Sequence, residues 1–191
     1  FFHSDMYLCP NADEEIDKYL EKGKVVSLTR IEPPLHPEGP EKIVKDFGIE
    51  PEEFKEKDLL FWCMHNYKPS QETTEGIFAP WAIMKEDFQS IGGHDTLFTP
   101  QSKEDSDIFN RMQLNGYKFI QTWRGYVYHM TSRGSRFNPS AGGAPGKDSP
   151  EWVETTTKNM RNFIRKWGTI VQHDSLMKPI ISHKYDIGIV I

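Results

Sequence analysis

The feature that most constrains this chain is a strand whose boundaries are written beside it, Lys24-Val-Val-Ser-Leu-Thr-Arg-Ile31. Gly23 in front of it is a helix stop, and Pro33, Pro34, Pro37 and Pro40 behind it force an extended loop. Upstream of Gly23, Asn11 and Glu14 have the spacing of a capping box, so a helix is expected over 11–23. The alternation continues downstream. Residues 77–84 are apolar enough for a buried strand, followed by a short helix over 85–90 and a Gly92-Gly93 turn. Ser102 and Asp105 form a second capping pattern, opening a helix whose Ile108, Phe109, Met112 and Leu114 are expected to face inward and whose stop is Gly116. Two short strands, 118–122 and 125–129, come next. Ser149-Pro150 then starts the clearest helix, with Val153, Thr156, Met160, Phe163, Ile164 and Trp167 at helical spacing and Gly168 as its end. In a chain of 191 residues this order predicts an α/β fold, a mixed sheet flanked by helices around one core.

Two stretches interrupt the pattern. Residues 32–75 read as a long, acidic, mobile excursion containing one short helix over 40–47, and 132–148 as a glycine-hinged loop. Phe1-Phe2 and the apolar run 185–191 both read as strand interiors, so the sequence is expected to be a piece of a longer protein. A net charge of −5 argues against nucleic acid as partner, because binding a phosphate backbone needs a basic face. Cys9 and Cys63 have neither zinc-ligand spacing nor the density of a disulfide framework, which points to a reducing, cytoplasmic setting. No run of about 18 apolar residues is present, so no transmembrane segment is expected.

Several residues could carry chemistry. His3 and Asp5 stand two apart, so strand alternation puts both on one face. Imidazole plus carboxylate is half a site for a divalent cation, Mn²⁺ or Mg²⁺, able to hold a diphosphate; an ordinary strand-to-turn junction can carry the same pair. Glu104, Asp105 and Asp107 open a helix, where a carboxylate could take a proton from a hydroxyl or simply favour the helix dipole. His129 ends a strand, as a ligand or as a structural histidine. Arg133 and Arg136 offer guanidinium forks that match phosphate oxygens, and solvated arginines would look no different. Trp62, Tyr67, Trp81, Trp123 and Trp152 stand near loops or element ends; Trp62 and Trp81 are candidate faces for a sugar ring, core packing being the alternative. Lys158, Arg161, Arg165 and Lys166 form a solvated face of the last helix.

Taken in order, His3-Ser4-Asp5, Gly92-Gly93 and Glu104-Asp105-Ser106-Asp107 with Arg111 resemble the family 2 glycosyltransferases of GT-A type. That family pairs an Asp-x-Asp-like metal motif after a strand with a downstream Gly-Gly turn and an acidic Glu-Asp-x-Asp helix start ending in arginine. His3 departs from the aspartate more common at the first position. The resemblance implies that residues 1–168 are the acceptor-side part of a GT-A domain and 169–191 a C-terminal extension or the start of a following segment. The units that hold the nucleotide would then precede Phe1. It further implies inverting transfer of a sugar from a nucleotide-diphosphate donor to a hydroxyl of a carbohydrate or other acceptor, assisted by Mn²⁺ or Mg²⁺. Asp105 would be the base, and Asp5 and His129, with His3, would hold the cation. Arg133 and Arg136 would meet the donor diphosphate; Glu104, Asp107, Gly93, Asp95 and Trp81 would belong to the acceptor side. Two rivals stand beside this. A non-catalytic carbohydrate-binding or scaffold protein on a GT-A-like fold would keep the aromatics without needing the acidic set, and a metal-dependent phosphoester hydrolase would want a denser His/Asp cluster.

Overall fold

The computed structural model describes residues 1–65, 70–131 and 136–181. In chain order they form β1 (Met6–Leu8), α1 (Ala12–Tyr19), β2 (Lys24–Glu32), β3 (Lys42–Val44), α2 (Glu56–His65), β4 (Thr73–Thr74), β5 (Trp81–Ile83), α3 (Lys85–Ser90), α4 (Glu104–Leu114), β6 (Lys118–His129) and α5 (Pro150–Trp167), joined in places by 3-10 turns. The architecture is α/β: a mixed six-stranded sheet with flanking helices. At its centre β2 and β6 run parallel. Each outer edge of that pair is covered by two short strands placed end to end. Antiparallel β1 and β4 share the free edge of β6, while antiparallel β5 and parallel β3 share that of β2.

Burial follows from this placement. Every residue of β2 after Lys24 is buried, as befits a strand with both faces covered. Alternation along β6 then sorts side chains into two cores. Val127 joins Val25 and Leu28 against Ala12 of α1 and Ile108, Phe109 and Met112 of α4. Tyr126 and Tyr128 point to the other core, with Ile31, Phe47 and Leu59, the last from α2. Polar groups inside β2 are bonded: Thr29 Oγ1 donates to the Thr122 carbonyl (2.8 Å) and accepts from Gln121 Nε2 (3.1 Å).

Several expectations are corrected. Asn11 and Lys103 stand before α1 and α4 with φ of 63° and 77°, and neither side chain caps its helix. Ser102 also does not cap; its hydroxyl pairs with Thr156 Oγ1 at 2.7 Å. Leu114 is 53 % exposed rather than inward, because Ile108, Phe109 and Met112 already fill the buried face of α4. The two strands expected over 118–129 are one, with a register shift that leaves residues 123–125 as extra chain between Thr122, paired with Leu28, and Tyr126, paired with Thr29. Gly125 is needed there, since a Cβ would stand 2.7 Å from Leu28 Cδ2. Within 32–75, residues 42–44 form a strand instead of a helix because they pair with Arg30, Ile31 and Glu32, and α2 and β4 occupy much of the remainder. Of 77–84 only Trp81–Ile83 is strand, although Ile77 and Ala79 are buried. Helix α3 and α5 form as expected, with the Ser149 hydroxyl accepting from Trp152 N (3.1 Å) and Gly168 left-handed at the end. The buried face of α5 differs from its apolar stripe: Val153 and Ile164 are exposed, and Asn159, Asn162 and Phe163 are buried. The run 185–191 lies outside the described residues. Among those described, no helix is long and apolar enough to cross a membrane.

Candidate metal centre and active site

Parallel β2 and β6 end side by side, and the carboxyl ends of parallel strands are where open α/β sheets place ligands. Glu32 closes β2 and His129 closes β6. Because β1 runs antiparallel to β6 with Met6 opposite His129, Asp5 and His3 just before β1 fall at the same end. The Asp5 carbonyl accepts from Met130 N (2.9 Å), which fixes this junction. His129 Nε2 lies 3.4 Å from Asp5 Oδ2, and one ligand atom each from His3, Asp5 and His129 fall within 4.8 Å of one another. Ligands at neighbouring corners of one cation, with bonds of about 2.1 Å, stand about 3–3.5 Å apart. Asp5 and His129 already meet that spacing, while His3, whose side chain is 43 % exposed, completes a looser set within 4.8 Å. Two imidazoles and a carboxylate can serve divalent first-row ions, the imidazoles favouring Zn²⁺, Fe²⁺ or Ni²⁺ and the carboxylate Mn²⁺ or Mg²⁺.

The residue that sequence reasoning missed is Glu32. Its Oε1 accepts from His129 Nδ1 at 2.7 Å, and it also takes Arg30 Nη1 (2.8 Å) and, through Oε2, Lys42 Nζ (2.9 Å). Burial would raise the Glu32 carboxyl, but the His129 hydrogen bond, the Arg30 charge and the Lys42 contact outweigh it and hold it well below the carboxylate range. Burial likewise opposes the charged form of His129, yet Asp5 and Glu32 overcome this and raise it. His129 would offer Nε2 to a cation in place of a proton, with Glu32 holding the Nδ1–H and the ring's orientation. The available signal was Arg30 and Glu32 two apart at the end of the central strand, so on one face, with Lys42 after the prolines.

Asp105, in the first turn of α4, has Oδ2 3.9 Å from His3 Nε2. Burial pushes its carboxyl up to about 6, opposed by the nearby Trp81 indole, whose N–H makes no full hydrogen bond among the described residues. Its neighbour Glu104 is pushed up to about 7, first by burial and then by the Asp105 charge, and Glu104 Oε2 is buried without a hydrogen-bond partner among the described residues. Asp105 also lines a narrow slot with Ser106, Phe109 and Asn110 of α4, Phe78, and Gln172, His173 and Met177 of the C-terminal segment.

The remaining predicted residues lie elsewhere. Asp107 is fully buried behind the site, bonded to Arg111 Nε (2.9 Å), Lys166 Nζ (2.7 Å) and Trp167 Nε1 (2.9 Å). Asp95 accepts from Leu97 N (2.9 Å) and pairs with Lys166 (2.7 Å), so it braces a turn. Gly93 has φ 63° and its carbonyl accepts from Arg111 Nη2 at 2.6 Å. Trp81 is 1 % exposed, stacked on Phe1 at 4.0 Å and edged by Phe109, which leaves no open face for a sugar. Trp62 is half-buried beside Phe47 and Lys45. Arg136 pairs with Asp148 at 2.7 Å; Arg133 and Tyr67 lie outside the described residues. No protein-family model, curated protein or solved structure matches this chain.

Proposed function

We propose that this chain carries the metal site and acceptor side of a GT-A-type glycosyltransferase, which moves a sugar from a nucleotide-diphosphate donor to an acceptor hydroxyl with inversion. The observation that supports it is the convergence of His3, Asp5, His129 and Asp105, from three distant parts of the sequence, at the carboxyl end of the β2–β6 pair. His3, Asp5 and His129 would hold Mn²⁺ or Mg²⁺, which when bound neutralises the charge of a departing diphosphate. Asp105 lies between that cluster and the slot lined by Ser106, Asn110 and Gln172. An acceptor hydroxyl entering the slot meets a carboxylate basic enough to take its proton, yet largely ionised at neutral pH. The hydroxyl oxygen forms the new bond at the anomeric carbon as the bond to the diphosphate breaks, and the leaving group keeps the electron pair. One displacement of this kind inverts the centre. In this reading Arg136 reaches the donor only by exchanging Asp148 for phosphate, and the two free thiols fit a cytoplasmic setting.

Calorimetric titration of Mn²⁺, alone and with a panel of nucleoside diphosphates, into the protein carrying the nucleotide-holding units that the reading requires tests it. Manganese-dependent nucleotide binding is expected in the wild type and lost in Asp5→Ala. Asp105→Asn should keep that binding and lose transfer by about 100-fold or more. Nucleotide binding that ignores both Mn²⁺ and Asp5, or no binding at all, would shift the reading to a non-catalytic carbohydrate-binding protein.

A further inference from the structure

The chain has two cysteines, and they touch. Cys9 follows β1, is 2 % exposed and sits in the core formed by Ile31, Phe47, Leu59, Tyr126 and Tyr128. Cys63 lies in the last turns of α2, half-buried at the rim of the same core. They are 54 positions apart in sequence, yet their sulfurs are 4.0 Å apart. Closing to a disulfide bond of about 2.05 Å requires the two sulfurs to approach by about 2 Å. We infer that Cys9 and Cys63 form a reversible disulfide site that clips α2 to the end of β1. This inference is independent of the glycosyltransferase reading.

The step needs an oxidant from outside the protein, a hydroperoxide or a low-molecular-weight disulfide. Cys63 is the attacking sulfur because it is only half-buried, whereas Cys9 is 2 % exposed and shielded from the oxidant. With hydrogen peroxide the thiolate attacks one oxygen, the O–O bond breaks, and Cys63 becomes a sulfenic acid with release of water. The Cys9 sulfur then attacks the Cys63 sulfur, the S–O bond breaks, and a second water leaves. Two electrons and two protons pass from the thiols to the peroxide. The product ties α2 covalently to β1, which the Tyr7 hydroxyl already joins to Glu56 Oε1 at 2.7 Å.

The test is alkylation and mass spectrometry on the whole chain before and after hydrogen peroxide or glutathione disulfide. The reduced protein should carry two alkylatable thiols and the oxidised protein none. Before alkylation the oxidised chain should be about 2 Da lighter, with one cross-linked peptide pair, and dithiothreitol should restore both thiols. Its melting temperature should rise by several degrees relative to the reduced form. Cys9→Ala should instead accumulate a glutathione adduct or a higher oxide on Cys63. Two alkylatable thiols after oxidation, disulfide-linked dimers in place of the internal bond, or wild-type adducts on Cys63 at the level of Cys9→Ala would each overturn the inference.

Discussion

At the residue scale, the neighbours Glu104 and Asp105 separate in role through their surroundings. Asp105 has His3 on one side and the narrow slot on the other, whereas Glu104 has a buried oxygen with no hydrogen-bond partner among the described residues. A carboxyl raised from 4.5 to about 7 holds its proton more tightly folded than unfolded. The sign follows. Below its unfolded value both states are protonated and Glu104 costs nothing; as pH rises from about 4.5 to about 7 the unfolded chain ionises first and stability falls, with no further change above. Glu104→Gln removes that cost. Its melting temperature should match the wild type near pH 4 and exceed it by a few degrees near pH 8. An equal difference at both pH values would show that ionisation of Glu104 is not the source.

At the element scale, α4 is held by its back rather than by its cap. Asp107 gathers Arg111 from its own helix and Lys166 and Trp167 from α5, and Arg111 continues to the carbonyls of Ile91 (2.6 Å) and Gly93 (2.6 Å). One buried carboxylate thus joins α4, α5 and the turn after α3, which sets the position of Asp105 one half-turn away. Removing one partner of a buried ionic group leaves the others uncompensated, so Asp107→Ala should lose about 3–5 kcal/mol in urea unfolding. A loss below about 1 kcal/mol would mean that Arg111 and Lys166 find water instead. The same packing explains why a hydrophobic stripe misjudges α5. Asn159 Nδ2 donates to the carbonyls of Phe98 (2.8 Å) and Gln101 (2.7 Å), so the helix docks on loop backbone that needs donors more than methyl groups.

At the scale of the whole molecule, the candidate site is a meeting of strand ends joined by charge. Arg30 and Glu32 of β2, Lys42 of β3 and His129 of β6 form one buried chain that ends at Asp5. Glu32→Gln keeps the shape but removes the charge that orients His129 and balances Arg30 and Lys42. Mn²⁺ affinity should fall about 10–100-fold in that variant. Unchanged affinity by calorimetry would separate Glu32 from metal binding and leave it a role in folding alone. Local chemistry alone specified much of this protein: helix starts and stops at Ser149-Pro150, Gly116 and Gly168, the central strand behind Gly23, and the acidic opening of α4, because caps, turns and periodicity act within a few residues. His3, Asp5, Asp105 and His129 could be singled out one at a time by residue type and place. Their assembly could not, nor could Glu32's part in it, the pairing of residues 42–44 with β2, the burial of Trp81, or the contact of Cys9 with Cys63. Those depend on which strand lies beside which, and pairing across more than a hundred residues, as between Met6 and His129, is settled by the cores on both faces of the sheet rather than by any local preference.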